Sequence, residues 1–160
     1  NELMNDLKFA SKDIITSLRE TIWALKKDNY TAEDCLLRIK NFIQPLARYY
    51  SHIQFTVQGE TPAGKELHYT TALNAVRIVQ EAVTNAIKHA SPSVIKVTSK
   101  ETAGHWGLEI FNDGKIFDHA VMKAAGQGNG LENMEQRAKD SGFDISIGSD
   151  ENGTRIAIMV

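Results

Sequence analysis

The chain has 160 residues, a formal net charge of −2, 42% hydrophobic residues and 24% charged ones. That is room for one ordinary domain with one appended element. It is too apolar for a disordered chain, and it lacks the positive excess that would draw it to nucleic acid or an anionic membrane. Cys35 is the single cysteine, which excludes an internal disulfide and suits a reducing, cytoplasmic compartment. Its apolar neighbours predict a buried, inert thiol. No apolar run approaches the roughly 20 residues that span a bilayer, and Glu2, Asp6 and Lys8 rule out a signal peptide at the start. The chain begins at Asn1 rather than Met, so the expectation is a fragment whose membrane segment, if any, lies upstream.

The first element, residues 3–25, carries Leu3, Leu7, Ala10, Ile14, Leu18, Ile22 and Leu25 at spacings of three and four, which predicts a helix with one oily stripe. Two readings stay open: a helix packed on its own domain, or half of a helical hairpin that dimerises. After a break at 26–29, Thr31 reads as the N-cap of a second helix, with Glu33 and Asp34 in its first turn where acids oppose the helix dipole. Pro45 is expected to kink or divide that helix near 47–50. Ile53, Phe55 and Val57 alternate with polar residues and predict a strand ended by Gly59, and 61–65 reads as a loop.

A long helix follows over about 68–90, closed by Ser91-Pro92. Runs 94–99 and 106–111 predict an antiparallel hairpin through Gly104. A glycine-spaced stretch, 114–130, has little pattern. A short helix over 131–139 precedes a last hairpin, 143–147 and 154–160, turning around 150–153. One mixed sheet with helices on one face is the natural way to bury these amphipathic elements, giving an α+β two-layer sandwich.

Stepping about 100° per residue along the long helix, Glu81, Asn85, Lys88 and His89 share one side, with Arg77 and Asn74 extending it. A solvated face accounts for such polarity in a generic helix. The combination is more pointed. A carboxamide oxygen can complete the octahedral oxygen shell of Mg²⁺, a carboxylate can orient an incoming nucleophile, and a lysine adds charge near phosphate oxygens.

The string RIVQEAVTNAIKHA resembles the N-box of bacterial two-component sensor histidine kinases, with Glu81, Asn85, Lys88 and His89 at its E-x-x-x-N-x-x-K-H positions. GQGNGLENMEQRA resembles the same family's G2 box. There Gly126, Gly128 and Gly130 would let backbone approach phosphates without a Cβ, and the helix beginning at Leu131 would offer free N–H groups. Gly153-Thr154 matches a pair whose Thr hydrogen-bonds near adenine. The G1 box departs from the usual D-x-G-x-G. Asn112, Asp113, Gly114, Lys115 and Ile116 stand there, so the adenine-reading Asp is Asn112 and the second glycine is Ile116. An amide oxygen still accepts from the adenine amino group but forgoes the charge-assisted bond. Asp113 could serve instead only by turning a neighbouring side chain inward, which strand alternation disfavours. Weakened nucleotide affinity is expected.

The resemblance implies a Bergerat-type (GHKL) ATP-binding sandwich over 29–160, and 1–28 as the C-terminal part of a dimerisation helix of the DesK-like type, on the strength of LRETIWALKK. It implies ATP and Mg²⁺ as cofactors, Asn85 as metal ligand and Glu81 as the catalytic acid that polarises the nucleophile or a Mg-bound water. Lys88, His89, Asn112, Asp113, Gly114, Gly126, Gly128, Gly130, Leu131 and Thr154 would hold the nucleotide. It further implies homodimerisation through the first helix and transfer of the γ-phosphoryl group to a histidine, onward to a response regulator with a helix-turn-helix output domain. No His-Asp or His-Glu pair precedes residue 28, so the acceptor is expected outside this chain. His52, His68, His105 and His119 read as surface or packing residues. The alternatives are a degenerate nucleotide-binding or scaffold module, motivated by Asn112 and Ile116, and another GHKL ATPase of the gyrase, MutL or Hsp90 kind.

Overall fold

The computed structural model describes residues 2–116 and 129–160. Helix α1 (Glu2–Ala24) leads into β1 (Asn29–Thr31), α2 (Ala32–Tyr49), β2 (Gln54–Gly59), β3 (Glu66–His68) and α3 (Tyr69–His89). Strands β4 (Val94–Thr102) and β5 (His105–Asn112) follow, then α4 (Asn129–Ser141), β6 (Asp144–Asp150) and β7 (Gly153–Met159). Five strands form one mixed sheet in the order β2-β4-β5-β7-β6. Only β2–β4 is parallel, because the crossover between them carries α3, while the other neighbours are hairpins or antiparallel pairs.

The α+β two-layer sandwich expected from the sequence is therefore the architecture. Along β5 the residues Trp106, Leu108 and Ile110 are buried and join Ile95 and Val97 of β4 in one core with Val76, Val79 and Val83 of α3. Met134 and Ala138 bring α4 into the same core, and Cys35, Ile39 and Ile43 bring in α2. Burial pushes the Cys35 thiol up to about 12, so it stays protonated and unreactive at neutral pH. A buried polar relay stitches two strands: Trp106 Nε1 donates to Ser99 Oγ at 2.7 Å, and Ser99 Oγ donates to the Glu60 carbonyl at 2.6 Å.

The structure corrects several boundaries. Pro45 does not divide α2 into two elements, since the helix runs on to Tyr49. Its ring sits on an exposed flank, where a missing N–H meets solvent rather than a packed neighbour. Strands β1 and β3 went unread; three residues each, they pair antiparallel and are too short to show alternation. Helix α4 starts at Asn129, so Gly130 lies in its first turn rather than in the loop. The N-cap at Thr31 is a full capping box: Asp34 N donates to Thr31 Oγ1, and Thr31 N to Asp34 Oδ2, both at 3.0 Å.

Helix α1 lies across α3 and is held by a few polar contacts. Arg38 Nε meets Glu20 Oε2 at 2.6 Å, with Glu20 buried. Arg77 Nη2 donates to the Ser17 carbonyl at 3.3 Å and to Thr21 Oγ1. The Tyr30 hydroxyl donates to the carbonyls of Trp23 and Ala24, which occupy orphan acceptors of the helix end, and the Tyr30 and Trp23 rings pack at 4.3 Å. The apolar stripe faces the other way: Leu3, Leu7, Ile14, Leu18, Ile22 and Leu25 are all exposed by half or more, while the Ala10 side chain lies outside the description. Packing on its own domain is thus not what the stripe does in this chain. Tyr30→Phe strips the last α1 carbonyls of their buried donor and should lower unfolding free energy by about 1–3 kcal/mol, read as a shift of the urea midpoint at unchanged slope.

Candidate functional site

Asn112 and Thr154, both buried, pair at the end of β5, and buried Asn85 is in the C-terminal half of α3. Asn112 continues the inward set of Trp106, Leu108 and Ile110 and is paired with Thr154 across the β5–β7 ladder. Its Oδ1 accepts from Gly114 N at 2.9 Å, which fixes the amide in place. Thr154 Oγ1 shares a hydrogen bond with Ser149 Oγ at 2.9 Å. Sequence reading missed Ser149, although the β6–β7 register puts it opposite Thr154.

Two glycines let these backbones close on one another. A Cβ on Gly153 would stand 2.0 Å from the Asn112 carbonyl oxygen, and its φ of +143° is one that other residues rarely adopt. A Cβ on Gly114 would stand 2.3 Å from the Ala90 carbonyl oxygen, at the end of α3. Lys115 N donates to that same carbonyl at 2.7 Å. Asp113 takes no part in the inward face. It is exposed, and its Oδ1 accepts from Ser93 N at 2.8 Å and Val94 N at 2.9 Å, tying the β5 end to the start of β4.

On α3, Asn85 is 7% exposed, Lys88 is exposed, and Glu81 and His89 are half-buried. Burial, followed by the Lys88 charge, lowers the His89 pKa, so its imidazole is neutral near pH 7 and donates or accepts without adding charge. Helix α4 packs antiparallel on α3. Asn74 Nδ2 donates to Ser141 Oγ at 2.7 Å, joining the start of one helix to the end of the other. At about 1.5 Å per residue, the first turn of α4 then lies alongside the Asn85 end of α3. Leu131 is buried in the core. Gly126 and Gly128 lie outside the described residues, as does His119; of Gly130 the helical backbone alone is described. His52 and His105 are exposed, and His68 is the N-cap of α3. Ile116 is exposed.

Sequence reading also missed a cationic pair. Arg77, one turn before Glu81, and Arg137 of α4 line one cavity with Gln80 and Glu81. The helical spacing of Arg77 and Glu81 was visible; the approach of Arg137 required the α3–α4 packing.

Because folding lowers the His89 pKa, the unfolded chain binds more protons between the folded value and 6.5. Stability therefore rises with pH through that interval and is fully present above it. Chemical denaturation from about pH 7.5 to about pH 5.5 should destabilise the parent chain more than His89→Gln, and equal slopes would contradict the assignment.

Residues 70–160, more than half of the chain, match the family of histidine kinase-, DNA gyrase B- and HSP90-like ATPases. The sensor protein VraS of Staphylococcus epidermidis is 33% identical over 100 residues, covering 62% of this chain and 26% of that protein. The chain thus spans about a quarter of the curated relatives it matches. Among solved structures, the histidine kinase domain of a blue-light activated kinase from Erythrobacter litoralis superposes with a TM-score of 0.68 at 18% identity, covering 90% of this chain and 74% of that one. Histidine kinase ThkA in complex with the response regulator TrrA superposes at 0.61 and 13% identity, covering all of this chain and 50% of the other. These likenesses share the fold, and the chain belongs to the family of histidine kinase-, DNA gyrase B- and HSP90-like ATPases.

Proposed function

We propose that this chain is the catalytic portion of a sensor histidine kinase that binds Mg-ATP and passes the γ-phosphoryl group to a histidine outside residues 1–160. The observation that carries the reading is the buried cross-strand pair Asn112 and Thr154, at a β5 end that Lys115 N ties to the end of α3, the helix that carries buried Asn85. That set suits the group. A carboxamide oxygen at Asn85 fits a hard cation that keeps several waters. Gly114 and Gly153 let the neighbouring backbones close tightly around Asn112, which holds its side chain in place. Asn85 would hold Mg²⁺, which supplies charge neutralisation across the phosphate oxygens.

Lys88 supplies a point charge for the same oxygens, and the N-terminal turn of α4, at Gly130 and Leu131, offers backbone N–H donors; the family resemblance assigns Gly126 and Gly128 to the same phosphates. Asn112 accepts from the adenine amino group with the lone pair that Gly114 N leaves free, and Thr154 orients from the facing strand. Neutral His89 and Gly114 border the phosphate side. Glu81, one turn before Asn85, takes or orients the proton on one ring nitrogen of the acceptor imidazole while the other, which carries the lone pair, attacks the γ-phosphorus and ADP leaves. The protein's contribution is positioning and electrostatics rather than covalent chemistry. Asp113, engaged at Ser93 and Val94, contributes by anchoring the β5 end and not by reading the base.

Residues 1–28 act in this reading as the end of a DesK-like dimerisation helix. The uncovered stripe of α1 supports a second copy packed along it, and the response regulator, with a helix-turn-helix output domain, is the phosphoryl recipient. The VraS relative, a sensor protein, and the regulator complex of ThkA support the assignment of role. The described residues hold no helix long and apolar enough to cross a membrane, which accords with a cytoplasmic portion of a larger sensor. A scaffold role has Asn112 and Ile116 in its favour, but a site that has lost turnover has no need of buried Asn85.

Calorimetric titration with a non-hydrolysable ATP analogue should give Mg-dependent binding that Asn85→Ala abolishes. Asn112→Asp should tighten it by roughly three- to ten-fold, the scale of about 1 kcal/mol between neutral and charge-assisted hydrogen bonds. Absence of binding in both the parent and Asn112→Asp would establish the scaffold reading instead.

A further inference from the structure

A second polar locus lies beyond Glu81, on the side away from Asn85. Among the described residues, three buried side-chain nitrogens meet no acceptor: Arg77 Nε, Gln80 Nε2 and Arg137 Nε. All three belong to residues lining one cavity of about 60 Å³ between α1, α3 and α4. Gln80 is 7% exposed, and a buried amide donor left unmatched carries the full cost of its lost water. The volume is several times the about 10–15 Å³ that one water requires. Two guanidinium groups against the carboxylate of Glu81 leave a formal charge of +1 on the lining. The like charge of Arg137, after burial, lowers the Arg77 pKa, so the cavity is short of negative charge as well as of acceptors.

We propose that this cavity binds a small tetrahedral oxyanion of the phosphoryl type, held by Arg77, Gln80 and Arg137. The donors come from three different side chains on two helices: one N–H from each guanidinium Nε and the amide NH2 of Gln80. That array suits an anion with oxygens in several directions better than a planar carboxylate, which prefers the two-pronged fork of one guanidinium. Ser17 of α1 closes the remaining side, with its carbonyl and hydroxyl on Arg77 Nη2 at 3.3 Å. The bound anion therefore also strengthens the seat of α1 on α3. The site goes beyond the nucleotide reading and does not require it, since none of its three donors belongs to the Mg-ATP set.

The Nε–H resonances of Arg77 and Arg137 and the side-chain amide of Gln80 report directly in ¹H–¹⁵N spectra of the whole 160-residue chain. Titration with inorganic phosphate, in the presence of Mg-ADP, should move all three saturably. Arg137→Gln should weaken the response at Arg77 and Gln80 at least ten-fold. Non-saturable shifts, shifts reproduced by chloride at equal ionic strength, or an unchanged response in Arg137→Gln would overturn the site. Acetate binding more tightly than phosphate would overturn its phosphoryl character. Nucleotide binding is scored separately on the Asn85 amide, so failure of one assignment is distinguishable from failure of the other.

Discussion

The end of β5 presses against the end of α3 with no side chain between them, and the candidate site is a consequence of that approach. Gly114 lies where a Cβ would overlap the Ala90 carbonyl, and Lys115 N closes the gap with a hydrogen bond to the same oxygen. The Asp113 carboxylate then clamps the backbone N–H groups of Ser93 and Val94. Gly114 and Lys115 thus fix the sheet to the C-terminus of the helix that carries Glu81, Asn85, Lys88 and His89, while Asp113 secures the β5 end to the start of β4. With that junction set, the pleat of β5 decides which side chain faces the helix layer, and it delivers Asn112 next to Thr154. Gly153 repeats the device on the other side, bringing β7 against the Asn112 carbonyl. Larger residues at either glycine would separate layers that have no slack in a close-packed interior.

Much of this was legible beforehand, and for identifiable reasons. Helix α3 announces itself because Val76, Val79 and Val83 fall at helical spacing on a segment without Gly or Pro, and the functional side chains are on the complementary face of the same helix. The β4–β5 hairpin alternates cleanly because one face is core, so the inward position of Asn112 follows from Trp106, Leu108 and Ile110 by period two. The α4 helix and the β6–β7 hairpin were found for the same reasons, with ends displaced by one to three residues where the pattern fades.

What escaped was set by partners distant in sequence. Strands β1 and β3 are three residues long and exist because each has the other. Pro45 breaks helices in general, yet on the exposed flank of α2 its missing donor costs little. The Arg77–Arg137 pair needs the antiparallel seating of α4 on α3, which the Asn74–Ser141 bond records and no local pattern encodes. The exposed face of α1 is a different case. Its stripe was plain in the sequence, but whether it would be buried depended on tertiary contacts. Glu20, Ser17 and Thr21 take the inner side through Arg38 and Arg77, leaving the leucines and isoleucines outward.

The central claim is that Asn85 and Asn112, brought to one end of the sandwich by the β5–α3 junction, are the metal and base contacts of a nucleotide site. A crystal structure of the chain with a non-hydrolysable ATP analogue and Mg²⁺ tests it most directly. The account predicts the Asn85 carboxamide oxygen on the metal and the Asn112 oxygen facing the adenine amino group, with Thr154 beside the base. A nucleotide seated away from Asn112, or a metal held without Asn85, would contradict it.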